Sequence, residues 1–372
     1  MTEKKRKYNR RAQLRLRRII VLCVLALILV GLIFGAVKLC ASCKTSASKR
    51  SLPFSSSDNF AYTGGGFLYA HDKKLSYLDI GDESKSFTVD LEESGAGVAG
   101  SDRIKVVYSA TSLQVVGTPY EHTFEGAIKK IVCCGKYVGA YIENADNTHS
   151  LAVYNSAGDR RHLAELGSSV LLDFGFEGGD SSAMYMSELV TIGTAVSTTV
   201  TTLDLARESI TGVMNIQGEI AKNIIMTSKS VFIFGTDSLI RFDRSTNTEA
   251  YRLLSRNYDC LDHSADGGRL MLLLAQSGEK SAPLRVLSVK EAEAADDSVL
   301  ELPSASRASS CFLMRGKVVS VNGTTAEIRS MKGELSASIP LGTEVVAAEK
   351  LDESRLLLFS GDEPTLLTLK NF

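Results

Sequence analysis

The hydrophobic pattern divides the chain into a short N-terminal part and a long body. Ile19–Val37 is a run of nineteen residues without a charged side chain, and no other stretch is as long and as apolar. A helix of this length spans about 28 Å, close to the roughly 30 Å hydrocarbon core of a bilayer. The run therefore predicts one transmembrane helix over residues 19–38, which is also the predicted contact with the lipid bilayer.

Basic residues precede this run. Residues 1–18 contain nine Lys and Arg side chains and one acid, Glu3. The positive-inside rule keeps such a flank in the cytoplasm, so we expect a basic cytoplasmic tail and a body outside the cell membrane. Two alternatives stay open: a cleaved secretory signal, whose apolar region is usually shorter, and cleavage with lipid attachment before Cys43. The length of the apolar run favours an uncleaved, single-pass anchor.

Short strand-like runs fill the rest of the chain. After Asp58, runs of five to eight residues alternate with clusters of Gly, Asn, Asp and Ser, as at Lys136–Ile142, Ser230–Phe234 and Arg355–Phe359. Alternation of apolar and polar positions with a period of two predicts β-strands. The best helical candidate, Val289–Asp297, is acidic and is better interpreted as a loop. The pattern therefore predicts an all-β body.

One motif recurs along the body: an apolar residue, two variable positions, a second and usually apolar residue, and then a residue that favours turns. Clear copies are Leu75–Asp79, Leu151–Asn155, Val200–Asp204, Leu239–Asp243 and Leu284–Ser288. Weaker copies end at Gly117, Ser330 and Lys370, and successive copies are 38 to 49 residues apart, about 42 on average. This spacing is typical of a four-stranded blade of a WD40-like β-propeller. The final Asp or Asn is expected to form the turn to the fourth strand.

Eight copies predict an all-β propeller of eight four-stranded blades. Stacked sheets bury each other's apolar faces, and a closed ring leaves only short edges. The predicted blade limits are 58–92, 93–125, 126–166, 167–214, 215–254, 255–302, 303–341 and 342–372. A ring of seven longer blades is the alternative, because the copy that ends at Gly117 is weak.

The last predicted blade has room for three strands only, so the ring needs a fourth strand from elsewhere. We expect Lys49–Ser55, just before the first blade, to supply this outer strand and to close the ring. Residues 39–57 are then a tether rich in Ser, Lys and Thr, with a possible ring-closing strand at its end. Residues 58–372 are the predicted extracytoplasmic β-propeller.

The fourth predicted blade is the longest. Ala183–Ile192 and Ala195–Asp204 flank Gly193 and Thr194, which predicts an extended hairpin. The second of these strands is rich in threonine, at Thr198, Thr199, Thr201 and Thr202. We expect either a hairpin that protrudes from the ring and binds a partner by strand addition, or a longer outer edge made soluble by threonine.

Signatures of catalysis and of metal or cofactor binding are missing from the sequence. The five His and seven Cys residues show no metal-site spacing, and motifs for serine nucleophiles, phosphate loops and calcium loops do not occur. Cys260 and Cys311 are expected on innermost strands, and Cys133 and Cys134 on opposite faces of one strand. The chain has no Trp, which argues against the enzymatic propellers whose motifs contain it. We therefore predict no catalytic, cofactor-binding or metal-binding residues.

Charge is divided unevenly along the chain. The net charge is −1, but residues 39–372 alone carry −10. An acidic body disfavours nucleic acid and anionic wall polymers, and it favours neutral or basic partners.

Three stretches of the body carry a resemblance, together with the basic start and the apolar run: Ala183–Met186, Val200–Asp204 and Ser230–Asp243. They resemble an uncharacterised family of membrane-anchored β-propellers from Gram-positive anaerobes. More distantly, the chain is similar to quinoprotein-like propellers. The resemblance implies a propeller of the cell envelope and supplies no catalytic residue.

These observations favour a non-enzymatic module of the cell envelope that binds a protein, a peptide or another ligand, or acts as a scaffold. The alternative is a hydrolase of cell-wall glycans or peptides, with acids that converge on the funnel of the propeller. A sensor that signals inward is a weaker third hypothesis, because the predicted cytoplasmic part has only about eighteen residues. The predicted partner is an envelope protein or peptide, and no nucleic acid is expected.

Overall fold

The computed structural model describes residues 45–167, 169–179, 181–192, 195–266, 268–278, 283–291, 300–301 and 310–372. The predicted cytoplasmic tail (1–18), the transmembrane helix (19–38) and the first part of the tether (39–44) lie outside these residues. Within the described ranges, no helix is both long enough and apolar enough to cross a membrane.

Strands in chain order build the first four blades, after one strand, β1 (Ser46–Ser51), that belongs to the last blade. Blade 1 contains β2 (Asn59–Tyr62), β3 (Gly66–His71), β4 (Lys74–Asp79) and β5 (Phe87–Asp90), with a 3₁₀ turn at Glu83–Lys85. Blade 2 contains β6 (Gly97–Gly100), β7 (Lys105–Tyr108), β8 (Ser112–Val115) and β9 (Glu121–Thr123). Blade 3 contains β10 (Ala127–Cys134), β11 (Tyr137–Glu143), β12 (His149–Asn155) and β13 (Arg160–Gly167). Blade 4 contains β14 (Val170–Phe176), β15 (Ala183–Ile192), β16 (Ala195–Asp204) and β17 (Ser209–Gln217).

The second half of the chain continues in the same way. Blade 5 contains β18 (Ala221–Met226), β19 (Ser230–Gly235), β20 (Ser238–Asp243) and β21 (Thr248–Leu254). Blade 6 contains β22 (Tyr258–Asp266), β23 (Arg269–Gln276), β24 (Arg285–Lys290) and β25 (Leu300–Glu301). Blade 7 contains β26 (Cys311–Met314), β27 (Lys317–Arg329) and β28 (Leu335–Val345). Blade 8 contains β29 (Ala347–Lys350), β30 (Arg355–Phe359), β31 (Pro364–Lys370) and β1.

The strands of the described residues thus form eight sheets, and the prediction of an eight-bladed all-β propeller is confirmed. The seven-blade alternative is wrong, because the weak copy of the motif at Gly117 follows the third strand of a separate sheet, blade 2. Blade 7 has three strands. Its middle strand β27 pairs with β26 along Lys317–Ser320 and with β28 along Gly323–Arg329, so one long strand serves two neighbours.

Apolar side chains pack in layers between successive blades. Because neighbouring residues of a strand point to opposite faces, Phe232 packs towards blade 6 while Ile233 packs towards blade 4. Layers of this kind join successive blades through Leu68 with Val107, Val106 with Val138, Leu151 with Phe174, Val200 with Ile233, Phe232 with Leu272, and Leu273 with Leu313. First strands of neighbouring blades also contact each other, as β2 contacts β6, so these strands line the centre of the ring.

The last blade closes on the first. The chain divides into two compact units, and the apolar cluster described next lies within the larger one, Lys49–Thr368. Phe67 of blade 1 packs with Leu357 and Leu366 of blade 8, in a cluster that includes Leu52 and Phe54. The strand β1 lies beside β31 in the outer position that the sequence analysis assigned to Lys49–Ser55. It begins at Ser46 and ends at Ser51, slightly earlier than expected.

The Asp and Asn residues that end copies of the repeated motif form turns, as expected, whereas Ser288 lies inside β24. Asp243 ends the third strand of blade 5, and its carboxylate accepts hydrogen bonds from the backbone N–H groups of Ser245 (2.8 Å) and Thr246 (3.3 Å). Asn155 does the same with its amide oxygen, towards the N–H groups of Ala157 (3.0 Å) and Asp159 (2.9 Å). A short polar side chain that bonds nearby backbone fixes a tight turn, whether it is charged or neutral.

The long hairpin of blade 4 exists, but its threonines do not form an outer surface. The strands β15 and β16 pair without interruption from Ala183 with Asp204 to Ile192 with Ala195. Thr198 is fully buried and its hydroxyl donates to the carbonyl of Glu219 at 3.0 Å. The strand β16 lies between β15 and β17, so it offers no free edge. The expectation of strand addition on the Thr-rich side is therefore wrong.

Candidate functional site

A cavity of about 630 Å³ opens between blades 5 and 6. It is bounded by the turns β18–β19, β20–β21 and β22–β23 and by the end of β24, which lie at the same end of the two blades. Turns of this kind sit on a rigid sheet and are free to carry varied side chains.

Basic side chains dominate the lining of this cavity. Five of the described lining residues are basic and two are acidic, a net charge of +3. The basic residues are Lys229, Arg241, Arg244, Arg269 and Lys290, and the acids are Asp243 and Glu291. We call this region the basic cleft.

Arg241 is fixed in place by its own blade. Its Nε atom donates to the hydroxyl of Ser230 at 2.9 Å, and its guanidinium lies 5.8 Å from the centre of the Tyr251 ring. Asp243 is further away, with 3.9 Å between its Oδ2 atom and the Nη2 atom of Arg241. Burial raises the pKa of Tyr251 to about 12, so the phenol stays neutral beneath the guanidinium. Arg241 is thus a pre-organised cation in the wall of the cleft.

The two acids of the cleft already have partners. The hydroxyl and the N–H of Ser245 both donate to Asp243, and these bonds lower the pKa of its carboxyl. Glu291 accepts a hydrogen bond from the hydroxyl of Thr227. Arg244 is also engaged, since its Nη1 atom lies 2.9 Å from a carboxylate oxygen of Glu177. Arg244 therefore ties the cleft to blade 4.

Two cations of the cleft are exposed and weakly engaged. Lys229 has no hydrogen-bond or ion-pair partner for its side chain among the described residues. Arg269 makes one contact of this kind, a hydrogen bond of 3.3 Å to the hydroxyl of Ser288. Both side chains keep donors for a molecule that enters the cleft.

A smaller recess of about 160 Å³ continues from the cleft and shares Ser228, Gly268, Arg269 and Glu291 with it. Phe232 and Leu270 lie behind this recess and are each 1% exposed, so they close it without offering an apolar surface. The site is therefore a charged cleft that rests on the packed layer between blades 5 and 6.

A second group of charges lies on the inner strands of blades 6 and 8, beside a cavity of about 520 Å³. The ammonium of Lys350 is 3.2 Å from Asp262 and 3.1 Å from Glu353, and it donates to the carbonyl of Leu313 at 2.6 Å. The carboxylate of Asp262 also accepts the N–H of Leu313 at 2.8 Å. This cluster joins blades 6, 7 and 8 at the centre of the ring.

The carboxylates of this central cluster are used in holding the ring together. Asp262 accepts from its neighbour His263 and from Leu313 as well as pairing with Lys350. Glu353 accepts from the N–H of Arg315 at 2.6 Å. Burial lowers the pKa of His263, so its ring is neutral at neutral pH. The positions of these acids could not be predicted from the sequence. In the structure both acids pair with Lys350.

The histidines and cysteines stand apart, and among the described residues no three His, Cys, Asp or Glu side chains are grouped to hold a metal ion. His71 bonds Asp58 at 2.7 Å in blade 1, while His122 stacks on Tyr154 between blades 2 and 3. The described cysteines lie on first strands, at Cys133, Cys134, Cys260 and Cys311. Burial raises the pKa of the Cys260 thiol to about 12, which makes it a poor nucleophile at neutral pH.

The basic cleft could not be predicted from the sequence. Its cations come from turns of two blades and belong to no motif with fixed spacing. One signal was available, since the motif copy Leu239–Asp243 contains Arg241 and is followed by Arg244. Without the stacking of blades 5 and 6, nothing placed these two residues beside Arg269.

Comparison with known proteins bears on the fold. No family model and no curated protein matches the chain. The WD40 domain of SCAP from fission yeast is similar in structure, with a TM-score of 0.56 and 9% identity over 87% of this chain and 98% of that domain. The fold is a WD40-like β-propeller.

Two further solved structures agree. The Dos1 propeller gives a TM-score of 0.54 and 9% identity over 86% of this chain and 94% of that one. The C-terminal WD40 domain of Sif2 gives a TM-score of 0.52 and 10% identity over 87% of this chain and 98% of that domain. At these identities the likeness concerns the fold alone, so the function of this WD40-like propeller must be argued from its own side chains.

Proposed function

We propose that this chain is a non-enzymatic binding module of the cell envelope, which holds a protein or peptide partner on an extracytoplasmic β-propeller. The module is anchored by residues 19–38, with residues 1–18 in the cytoplasm. The apolar run and its basic flank support the anchor and its orientation. The propeller fold is consistent with a protein-binding scaffold, since it presents many turns on a rigid frame.

The basic cleft is the observation that carries this proposal. It offers five basic side chains, and its two acids, Asp243 and Glu291, are engaged with Ser245 and Thr227. Because both acids are used in hydrogen bonds within the protein and cations dominate the lining, the cleft suits the recognition of a ligand better than acid–base catalysis.

The alternative, a hydrolase of cell-wall glycans or peptides, would use acids of the central cluster. Asp262 and Glu353 both pair with Lys350 and accept backbone N–H groups. These bonds use the carboxylate oxygens of both residues to join blades 6, 7 and 8. The contacts therefore favour a structural role for these acids.

Crosslinking in intact cells tests the proposal. The full chain with a C-terminal affinity tag is treated with a membrane-impermeant amine-reactive crosslinker, and adducts are identified by mass spectrometry. We expect a defined envelope protein in the adduct and no turnover of purified wall fragments by the same chain. Turnover of wall fragments that is lost in D262N and retained in a surface control, K332Q, would replace the binding module by the hydrolase.

A further inference from the structure

We propose that the basic cleft between blades 5 and 6 binds an acidic peptide segment of the partner, with carboxylate side chains against the rim. This inference rests on the proposed function, because it names the chemistry of the partner that the module holds. It also reverses one expectation from composition, which favoured neutral or basic partners.

The charge of the cleft is opposite to that of the body around it, which favours an acidic ligand. The described residues that line the cleft carry +3, whereas residues 39–372 carry −10 in total. A concave site of one sign focuses the electrostatic field and attracts ligands of the opposite sign, even on a body of unfavourable net charge. The acidic body around the cleft repels acidic chains elsewhere, which concentrates their binding at this one place.

The individual cations are also in a state that favours binding of an anion. Arg241 is held by Ser230 and stacked on Tyr251, so its guanidinium is placed before any ligand arrives. Lys229 and Arg269 are exposed at the rim and retain donors. A fixed guanidinium recognises a carboxylate through two parallel hydrogen bonds, and flexible neighbours add charge.

The size of the cleft favours a peptide over a small anion. A cleft of about 630 Å³ with a recess of about 160 Å³ exceeds what one small anion fills. The cations that line this space come from both blades, Arg241 from blade 5 and Arg269 from blade 6. A peptide segment with several carboxylates spans this space, whereas a free phosphate fills only part of it.

Binding of two matched peptides to the full chain in detergent micelles tests this inference. The probes are fluorescein-labelled Asp-Glu-Leu-Asp-Glu and its neutral counterpart Asn-Gln-Leu-Asn-Gln, measured by fluorescence anisotropy. We expect saturable binding of the acidic peptide only, with an affinity that falls as salt rises, because exposed charges are screened. Equal binding of both peptides, or no binding of the acidic one up to millimolar concentration, would overturn the proposal.

Charge reversal locates the binding. The double variant K229E/R269E changes two exposed residues of the rim, and we expect it to weaken binding at least about tenfold through lost and reversed charge contacts. The control variant R256E/K332E makes the same charge change at two exposed positions outside the cleft and should bind like the unchanged chain. Loss of binding in the control, or none in the cleft variant, contradicts the assignment.

Two further measurements separate the possible failures. Displacement of the acidic peptide by inorganic phosphate at equal concentration would show that the cleft takes a free anion, which contradicts the peptide assignment. If K229E/R269E captures the same envelope partner in intact cells as the unchanged chain, the binding module stands and the cleft is not its site. If the acidic peptide binds at the cleft but no partner is captured in cells, the cleft assignment stands and the proposed function fails.

Discussion

Asp204 shows at the scale of one residue how the repeated motif works. Its carboxylate accepts the hydroxyl of Ser182 at 2.6 Å and the N–H groups of Ala206 (2.9 Å) and Arg207 (3.4 Å). These bonds, led by that from Ser182, lower the pKa of the carboxyl. Asn155 makes the equivalent turn with an amide, so the turn needs an acceptor oxygen rather than a charge.

We therefore expect D204A to lower the free energy of unfolding by about 1 kcal/mol, because the N–H groups of the turn lose their acceptor. D204N keeps the acceptor and is the matched control, with a smaller loss. Urea denaturation followed by circular dichroism measures both. An equal loss in the two variants would show that charge, and not the turn, is what matters at this position.

Asp204 also makes the stability of the fold depend on pH, in a direction that its lowered pKa determines. The folded pKa of Asp204 lies below its unfolded value, so its ionised form stabilises the fold above about pH 4, and this contribution is lost as the pH falls through the folded pKa. The advantage of the unchanged chain over D204N should therefore be present at pH 7 and shrink below pH 4. An advantage that grows on acidification would contradict the assigned hydrogen bonds.

At the scale of the element, the innermost strands of four blades share a β-bulge at the same position. The registers of β10, β14, β18 and β22 with their partners all shift near the same place, at Lys130, Asp173, Asn223 and Asp262. A bulge re-aims the side chains beside it. Lys130 thereby meets Asp173 of the next blade at 2.6 Å, and Lys222 meets Asp259 at 2.6 Å. These pairs link neighbouring blades at the centre of the ring.

The pair of Lys350 and Asp262 is the best test of these links, since both side chains are only 16% exposed. K350M leaves Asp262 without its cation, and we expect it to cost about 3 kcal/mol of unfolding free energy. The double variant K350M/D262N should lose less than the sum of the two single variants, because residue 262 then carries no charge that has lost its cation, while the loss of the Lys350–Glu353 pair is common to K350M and the double variant. Additive losses would show that the two groups do not interact.

Ring closure is a second property of a single element. The fragment 45–372 contains β1, while the fragment 52–372 lacks it and keeps the buried Leu52 and Phe54. Without its outer strand, blade 8 exposes the edge of β31, and we expect the unfolding midpoint to fall by more than about 5 °C and the transition to broaden. Identical thermal unfolding of the two fragments would show that β1 does not contribute to closure.

At the scale of the whole molecule, the sequence predicted what repeats and missed what does not. Blade number follows from a local period, and the turn at Asp243 follows from local chemistry, so both could be predicted from the sequence. Two predicted blade limits are wrong, because 214 lies inside β17 and 341 lies inside β28. The burial of Thr198 could not be predicted, because it depends on Glu219 in the connection to the next blade. The basic cleft was not readable either, since stacking of blades 5 and 6 brings Arg241 and Arg269 together.

The proposed function combines these scales. A rigid ring presents turns, the turns of blades 5 and 6 carry a concentration of cations on an otherwise acidic body, and the sequence predicts an anchor that would hold the ring at the envelope. The account therefore assigns binding to one face of one blade pair, rather than to the ring as a whole.

Site-specific photo-crosslinking in intact cells tests that assignment most directly. A photoreactive amino acid is placed in the full chain at Ser228 in the cleft, and at Lys332 and Arg256 as exposed controls outside it. The account predicts that Ser228 captures one envelope protein through an acidic segment, while the two control positions do not. Capture of the same partner with equal yield at all three positions, or none at Ser228, would contradict it.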